Sequence, residues 1–392
     1  MRRSTDRILT THTGSLPRPS ALKALYIKRQ AGESVDAGVL DTQAAAAIDR
    51  IVDRQVAAGV DVGNDGEQGR EGFFLYMMRR LGGFASGTGW KRPLWEDMER
   101  YPLFHEQRNA ERASKASVQA RDSNPEAIAD ITHLSSEPIN RECAAFTRLL
   151  EAKKRPFAET FMTAPSPGIL AKALRNRHYD SERAYLAALG RAMREEYEAI
   201  VRHGFVLQID APDLALERHA AYKGQPLSAF LDFAEATVAT INDALINVPR
   251  DRVRIHVCWG NYEGPHDSDV PLADILPTLL KARVGGFVLP FGNARHGHEP
   301  RLFEKHRLAD DQILVAGVID TLVNVVEHPE YIAERLERVA QVIGDPKRVL
   351  AGTDCGFDTA AGSGRIADDV VWGKLASLRD GAKLASQRLF RH

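Results

Sequence analysis

Cysteine is scarce in this chain: three residues in 392. That excludes a disulfide framework as the source of its stability. No apolar run approaches the ~18 residues that a membrane-crossing helix requires. The opening stretch, MRRSTDRILTTHTGSLPRP, lacks the apolar centre of a secretion signal, so a reducing cytoplasm is the expected compartment. Neither sign of charge is in excess, with 52 Lys and Arg against 53 Asp and Glu and a formal net charge of −1. Such balance argues against a nucleic acid or an anionic membrane as partner. There is no low-complexity segment. What is present is an ordinary globular composition, 44% hydrophobic and 27% charged, in a chain long enough to bury a large core unaided.

One pattern recurs: amphipathic helix, glycine, short apolar run. In SERAYLAALGRAMREEYEAIVRHGFVLQID, Ser181 is placed to cap a helix and Glu182 suits its first turn. Leu186, Leu189, Met193, Tyr197, Ile200 and Val201 fall at helical spacing, and Gly204 is placed to end the helix before the strand FVLQID. DTQAAAAIDRIVDRQVAAG leads likewise into VDVGNDGE, and LADILPTLLKARVGG into FVLPFG. HPEYIAERLERVAQVIGDPKR leads into VLAGTDC, with Pro329 suited to a first helical position. Eight strands are expected, ending near His12, Glu67, Thr160, Asp210, Cys258, Pro290, Asp320 and Cys355. Such alternation implies parallel strands joined by right-handed crossovers. Eight units favour an α/β chain folded as a (β/α)8 TIM barrel, one catalytic domain over 1–392, with active-site groups at the C-terminal strand ends. The stretch 85–150 is too long for an ordinary loop. We read it as an insertion after the second strand that serves as a lid or as a subunit contact, the latter in a homo-oligomer.

The polar residues at those strand ends include a metal-capable set. His256 and Cys258, in RIHVCW, lie two apart, so their side chains share one face of a strand. Cys355 ends a later strand, and barrel closure would bring it alongside. Cys2His is a zinc set, and three protein ligands leave the fourth position open, as catalytic zinc requires. Thiolates argue against magnesium or calcium. On these residues alone another reading stays open, in which both cysteines act as small hydrophobes beside a hydrogen-bonded core histidine. Cys143, in INRECAAFTRLL, sits on an apolar helix face and reads as core.

Seven stretches, LTTHTGSLPRP, DGEQGREGF, QIDAPDLAL, HVCWGNYEGPH, GNARHGHE, GVIDTLVNVVEHPE and GTDCGF, extend the pattern along the chain. In these the sequence resembles the zinc-dependent, cobalamin-independent methionine synthase superfamily, in particular the single-barrel members that include epoxyalkane:coenzyme M transferase. The resemblance implies zinc as cofactor, with His256, Cys258 and Cys355 as its ligands. It implies two small-molecule partners, a thiol bound to zinc as thiolate and an alkyl donor whose methyl or other electrophilic carbon is attacked. Glu67 and Asp210 match the catalytic carboxylates that hold the amino group of homocysteine. Thr13 and Ser15 match the segment that contacts its amino-acid backbone. The bland alternative for Glu67 and Asp210 is a salt bridge or cap at the barrel rim. Asp213 and Glu217 read as supporting or surface residues.

The sequence also departs from that family. A glutamate ligand often ends the sixth strand, but Pro290 stands there. His296, His298, Glu299, Glu263, His266 and Asp267 lie nearby and carry no ligand assignment. Leu322 stands where some methionine synthases carry a histidine suited to proton transfer. Together with the single expected barrel, this weakens methyltetrahydrofolate as donor. A coenzyme M acceptor would need a cation for its sulfonate, for which Arg18, Arg70 and Arg295 are candidates. An open zinc could instead activate water in a hydrolase or lyase, or the site could bind without turnover.

Overall fold

The computed structural model describes residues 1–88, 93–118 and 124–390. Positions 89–92 and 119–123 of the expected insertion lie outside the described residues. Ten strands are present among the described residues: β1 (Val62–Gly63), β2 (Leu81–Ala85), β3 (Glu126–His133), β4 (Glu159–Pro165), β5 (Arg175–Asn176), β6 (Val206–Asp210), β7 (Val253–His256), β8 (Gly286–Pro290), β9 (Ile313–Ile319) and β10 (Val349–Thr353). Seven form one parallel sheet in the order β1-β4-β6-β7-β8-β9-β10. The eighth stave is short. Thr10 and Thr11 bridge in parallel to Ala351 on one side and Val62 on the other. Thr11 N donates to Ala351 O at 2.8 Å, and Val62 N to Thr10 O at 3.0 Å. The sheet thereby curls into the expected α/β barrel.

Local chemistry accounts for the elements. Helix Glu182–Arg202 starts where the Ser181 side chain accepts from Ala184 N. It buries Leu186, Leu189, Met193, Tyr197 and Ile200, each worth about 1.5–3 kcal/mol against exposure. Gly204, at φ +88°, then takes the left-handed turn that a side chain would resist. Strand residues alternate between two cores. Leu207, Ile209, Ile255, Phe287 and Leu289 belong to the large layer beneath the helices, whereas Phe161, Val206, Val288, Val315 and Leu350 form a small separate cluster on the opposite, inner face. Polar side chains take over that inner face toward the C-terminal ends of β6 and β7: Gln208 and Asp210 on β6, Arg254 and His256 on β7.

Outside the barrel, β2 and β3 pair antiparallel, and β5 adds parallel to β3. Between β2 and β3 the chain forms helices Glu96–Arg100 and Pro102–Ser114. Helix Glu137–Ala152 follows β3 and buries Cys143 with Ile139, Phe146 and Leu150. Among the described residues no helix is long and apolar enough to cross a membrane.

Candidate metal centre

His256, at the end of β7, and Cys258, two residues on, meet Cys355 just past β10. One ligand atom from each lies within 4.8 Å of the others, and Cys355 Sγ stands 3.9 Å from His256 Nε2. A tetrahedral zinc, bonded at about 2.3 Å to sulfur and about 2.1 Å to nitrogen, holds such atoms about 3.5–3.8 Å apart. The three donors therefore fit that ion in number, type and spacing. All three side chains are buried. The two thiols are unequal. The hydrogen bond from Cys355, with His256 adjacent, holds the Cys258 thiol well below its ordinary range, and the same bond pushes Cys355 well above it. Burial opposes protonation of His256, but Cys258 and Asp210 outweigh it and lift the imidazole to about 10.

A chain of polar side chains supports the histidine. Asp210 Oδ1 lies 3.2 Å from His256 Nδ1, and Nε2 faces the centre, 3.2 Å from Asp354 O and 3.9 Å from Cys355 Sγ. Gln208 Nε2 donates to the same Asp210 oxygen at 2.8 Å and to Thr13 O at 2.5 Å. Arg254 Nε in turn donates to Gln208 Oε1 at 2.8 Å, with its guanidinium 3.9 Å above the Phe161 ring. Neither Gln208 nor Arg254 stood out in the sequence. The signal was there: each lies two residues before a candidate, the same spacing that pairs His256 with Cys258.

A cavity of about 220 Å³ opens beside the centre. Its lining includes Thr13, Ser15, Glu67 and Asp210 with all three metal-capable residues, so every site position read from the sequence meets at one place. Glu67 sits at φ +55°, a costly backbone state for a residue with a side chain. Asp65 Oδ1 accepts from Glu67 N at 2.9 Å, and Arg18 donates to Glu67 O at 2.9 Å, fixing that turn. Glu67 Oε1 accepts from Thr163 at 3.0 Å, while buried Oε2 meets no partner in the protein. Burial first, and then the Asp210 charge, raises the Glu67 carboxyl to about 7. Gly14, at φ +135°, passes directly over it: an added Cβ would fall 2.6 Å from Glu67 Oε1.

The other candidates separate from this group. Arg18 is fully buried and spends its donors on Asp358, Arg70 O and Glu67 O. Arg70 binds Thr163 and Glu142, and Arg295 reaches the backbone of Asp267. The first two hold the loop that carries Glu67. His266 and His296 converge on Asp269, and Glu299 binds His296. Glu263 pairs with Arg365 and Asp267 with Arg100. Asp213 accepts from Ser166 beneath the rim. Pro290 and Leu322 line a further cavity of about 380 Å³ that reaches Cys258 and Cys355 from another side. Sequence reasoning passed over Asp354, the neighbour of Cys355. Its carboxylate accepts from Gly292 N, Asn293 N and Asn293 Nδ2, tying the β10 end to the loop after β8.

Comparison with known proteins agrees with this geometry. The catalytic-domain model of the cobalamin-independent synthases matches residues 8–123. The chain is 24% identical to the uncharacterized protein YxjH of Bacillus subtilis, over 94% of this chain and 92% of that one. It is 22% identical to a methionine synthase of Sulfurisphaera tokodaii, over 97% and 93%. It shares its fold with a B12-independent methionine synthase from Shewanella, at a TM-score of 0.73 and 19% identity, covering 98% of this chain and 99% of that one.

Proposed function

We propose that this protein belongs to the cobalamin-independent methionine synthase superfamily and is a zinc-dependent alkyltransferase, methionine-synthase-like, that moves a methyl or other electrophilic carbon onto a substrate thiol. The observation that carries the reading is the convergence of His256, Cys258 and Cys355 on one cavity with Glu67, Asp210, Thr13 and Ser15. Zinc held by the three ligands supplies the acidity that keeps a thiol, ordinarily of pKa about 8.5, deprotonated at neutral pH.

The rest falls to the protein's own groups. Cys258 and Cys355 present sulfur from two loops across the barrel mouth, and Asp210 fixes the ring of His256. The second oxygen of Asp210 and the unpartnered Oε2 of Glu67 are two acceptors for a cationic group on the thiol compound, such as an α-ammonium. Thr13 and Ser15 face the same space from the first stave. Phe73, Phe74 and Ile169 give the same cavity an apolar stretch of wall. Two carboxylates beside a small cavity favour an amino thiol over a sulfonate thiol as acceptor. Arg18 and Arg70, two of the arginines considered for a sulfonate, are committed to Asp358, Glu142 and backbone carbonyls, and Arg295 lies outside this cavity.

Elemental analysis tests the reading. Purified protein should hold near one zinc per chain, and Cys258→Ser combined with Cys355→Ser should hold none while keeping its circular-dichroism spectrum. Homocysteine and coenzyme M would then be offered with methyl and epoxide donors. Zinc-free wild-type protein after growth and purification with zinc would overturn the proposal.

A further inference from the structure

A second cavity, of about 470 Å³, lies directly outside the first. The two share Phe74, Trp95, Arg108, Ile169, Asn261, Tyr262 and Thr359 as common wall. None of the three metal-capable residues lines the outer one. A small thiol fits the inner space beside them. The shared wall gives a second reactant held in the outer cavity a direct approach to that space.

The outer cavity is charged in one direction. Arg108, Arg112, Lys115 and Arg365 line it, against Glu111 as its one carboxylate among the described residues. Glu111 is engaged by Arg365, which also binds Glu263. Arg108, Arg112 and Lys115 make no ion pair among the described residues. Arg108 is the telling one. Its guanidinium lies 5.7 Å from the Trp95 ring centre and 5.3 Å from that of Tyr262. Tyr262 is itself held by its hydroxyl on Asp97 at 2.5 Å. Arg108 is thus half-buried beside a contacting pair of rings, whose centres are 4.5 Å apart, at the wall that both cavities share. Among the described residues it donates no hydrogen bond to the protein. Withdrawing a guanidinium from water without a counter-ion is unfavourable, and its planar fork suits a carboxylate, sulfonate or phosphate. Burial, then Arg112 and Arg365, lower its pKa to about 10, so it remains charged at neutral pH.

We infer that Arg108, assisted by Arg112 and Lys115, recognises an anionic group on the alkyl donor. The assignment of that ligand as donor rests on the proposed alkyl transfer; the anion site itself does not. Trp95, Arg108, Arg112 and Lys115 all come from the segment between β2 and β3. This gives the extra segment a specificity role at the mouth of the barrel.

Competition for a fluorescent probe tests it. Anilinonaphthalene sulfonate, an anion that brightens away from water, should bind with a stoichiometry of one. Naphthalene-1-sulfonate, 1-naphthoate and 1-naphthyl phosphate should displace it, and neutral 1-naphthylmethanol should not. The ranking of the three anions then identifies the class of group on the donor. Arg108→Gln should weaken the anions about tenfold or more, as loss of a charge-assisted fork does. Arg112→Gln with Lys115→Gln, two exposed positions in the last turn of the helix and just past its end, should weaken them severalfold while leaving the fold intact. Cys258→Ser with Cys355→Ser should leave them unchanged, even as it removes zinc. Displacement by the neutral alcohol as strong as by the anions would overturn the inference, as would unaltered anion affinities in both cation variants.

Discussion

Glu67→Gln separates a carboxylate kept for ligand binding from one kept for the fold. The Glu67 carboxyl moves from 4.5 to about 7 on burial beside Asp210, which makes its ionised form about 3 kcal/mol more costly in the folded protein than in the unfolded chain. The direction is fixed by proton counting. Between pH 4.5 and about 7 the folded state keeps a proton that the unfolded state releases, so stability falls as pH rises through that window. Below it both states are protonated and the penalty vanishes; above it the penalty is complete. Glutamine cannot ionise and is nearly isosteric, so it keeps the acceptor for Thr163. Unfolding entropy of about 2.1 cal/mol/K per residue converts about 3 kcal/mol into a gain of roughly 4 °C in Tm at pH 8. The scan is run from pH 4.5 to 8.5 on metal-free protein, because a nearby divalent cation favours the ionised form. The same variant should raise KM for an amino thiol about 10- to 100-fold, the worth of a hydrogen bond to charge. A Tm difference that stays flat with pH, or a variant less stable than wild type at pH 8, would refute the reasoning and make Glu67 a structural residue.

Three further outcomes are expected. Gln208→Leu unties Asp210 from Thr13 and removes an acceptor from Arg254; zinc affinity, read by chelator competition, should fall about tenfold, as losses behind a ligand do. Gly14→Ala drives a methyl into Glu67 from a backbone state that alanine resists, and amino-thiol affinity should drop by at least tenfold with zinc content unchanged. Pro290→Glu offers a carboxylate from the wall of a cavity that Cys258 and Cys355 also line, and thiol affinity or turnover should change; identical titrations and rates would show that this strand end does not reach the centre.

The architecture was legible because each stave is announced by its own helix. Ser181, Pro329 and the glycines after the helices act through bonds within a few residues. The strands β6, β8 and β9 end at or one residue from the expected Asp210, Pro290 and Asp320. Around Thr160 local signals failed: β4 starts at Glu159 and runs on to Pro165, because its polar Glu159 and Thr160 pair with Val62 and Gly63 rather than flanking a turn. Period two brought His256 and Cys258 together, and family motifs placed Glu67, Asp210, Thr13 and Ser15. Arg108 was not legible. Its meaning lies in the company of Trp95 and Tyr262, the latter 154 positions away, and no local spacing encodes that contact. The roles suggested for Arg18 and Arg70 fail for the same reason: only the folded chain shows their donors already taken.

The barrel closes on two residues at its start. Thr13 N donates to Thr353 Oγ1 across 340 positions, and Phe357 N to Ser15 O. During synthesis the segment at Thr13 must therefore wait, unpaired on one side, until the strand that carries Thr353 has emerged. The inner cavity draws on both at once, with Thr13 and Ser15 from the first stave and Cys355 and Gly356 from the last. Until those two staves meet, the cavity has no complete wall. Competence arrives late and all at once, with the final turn of the barrel.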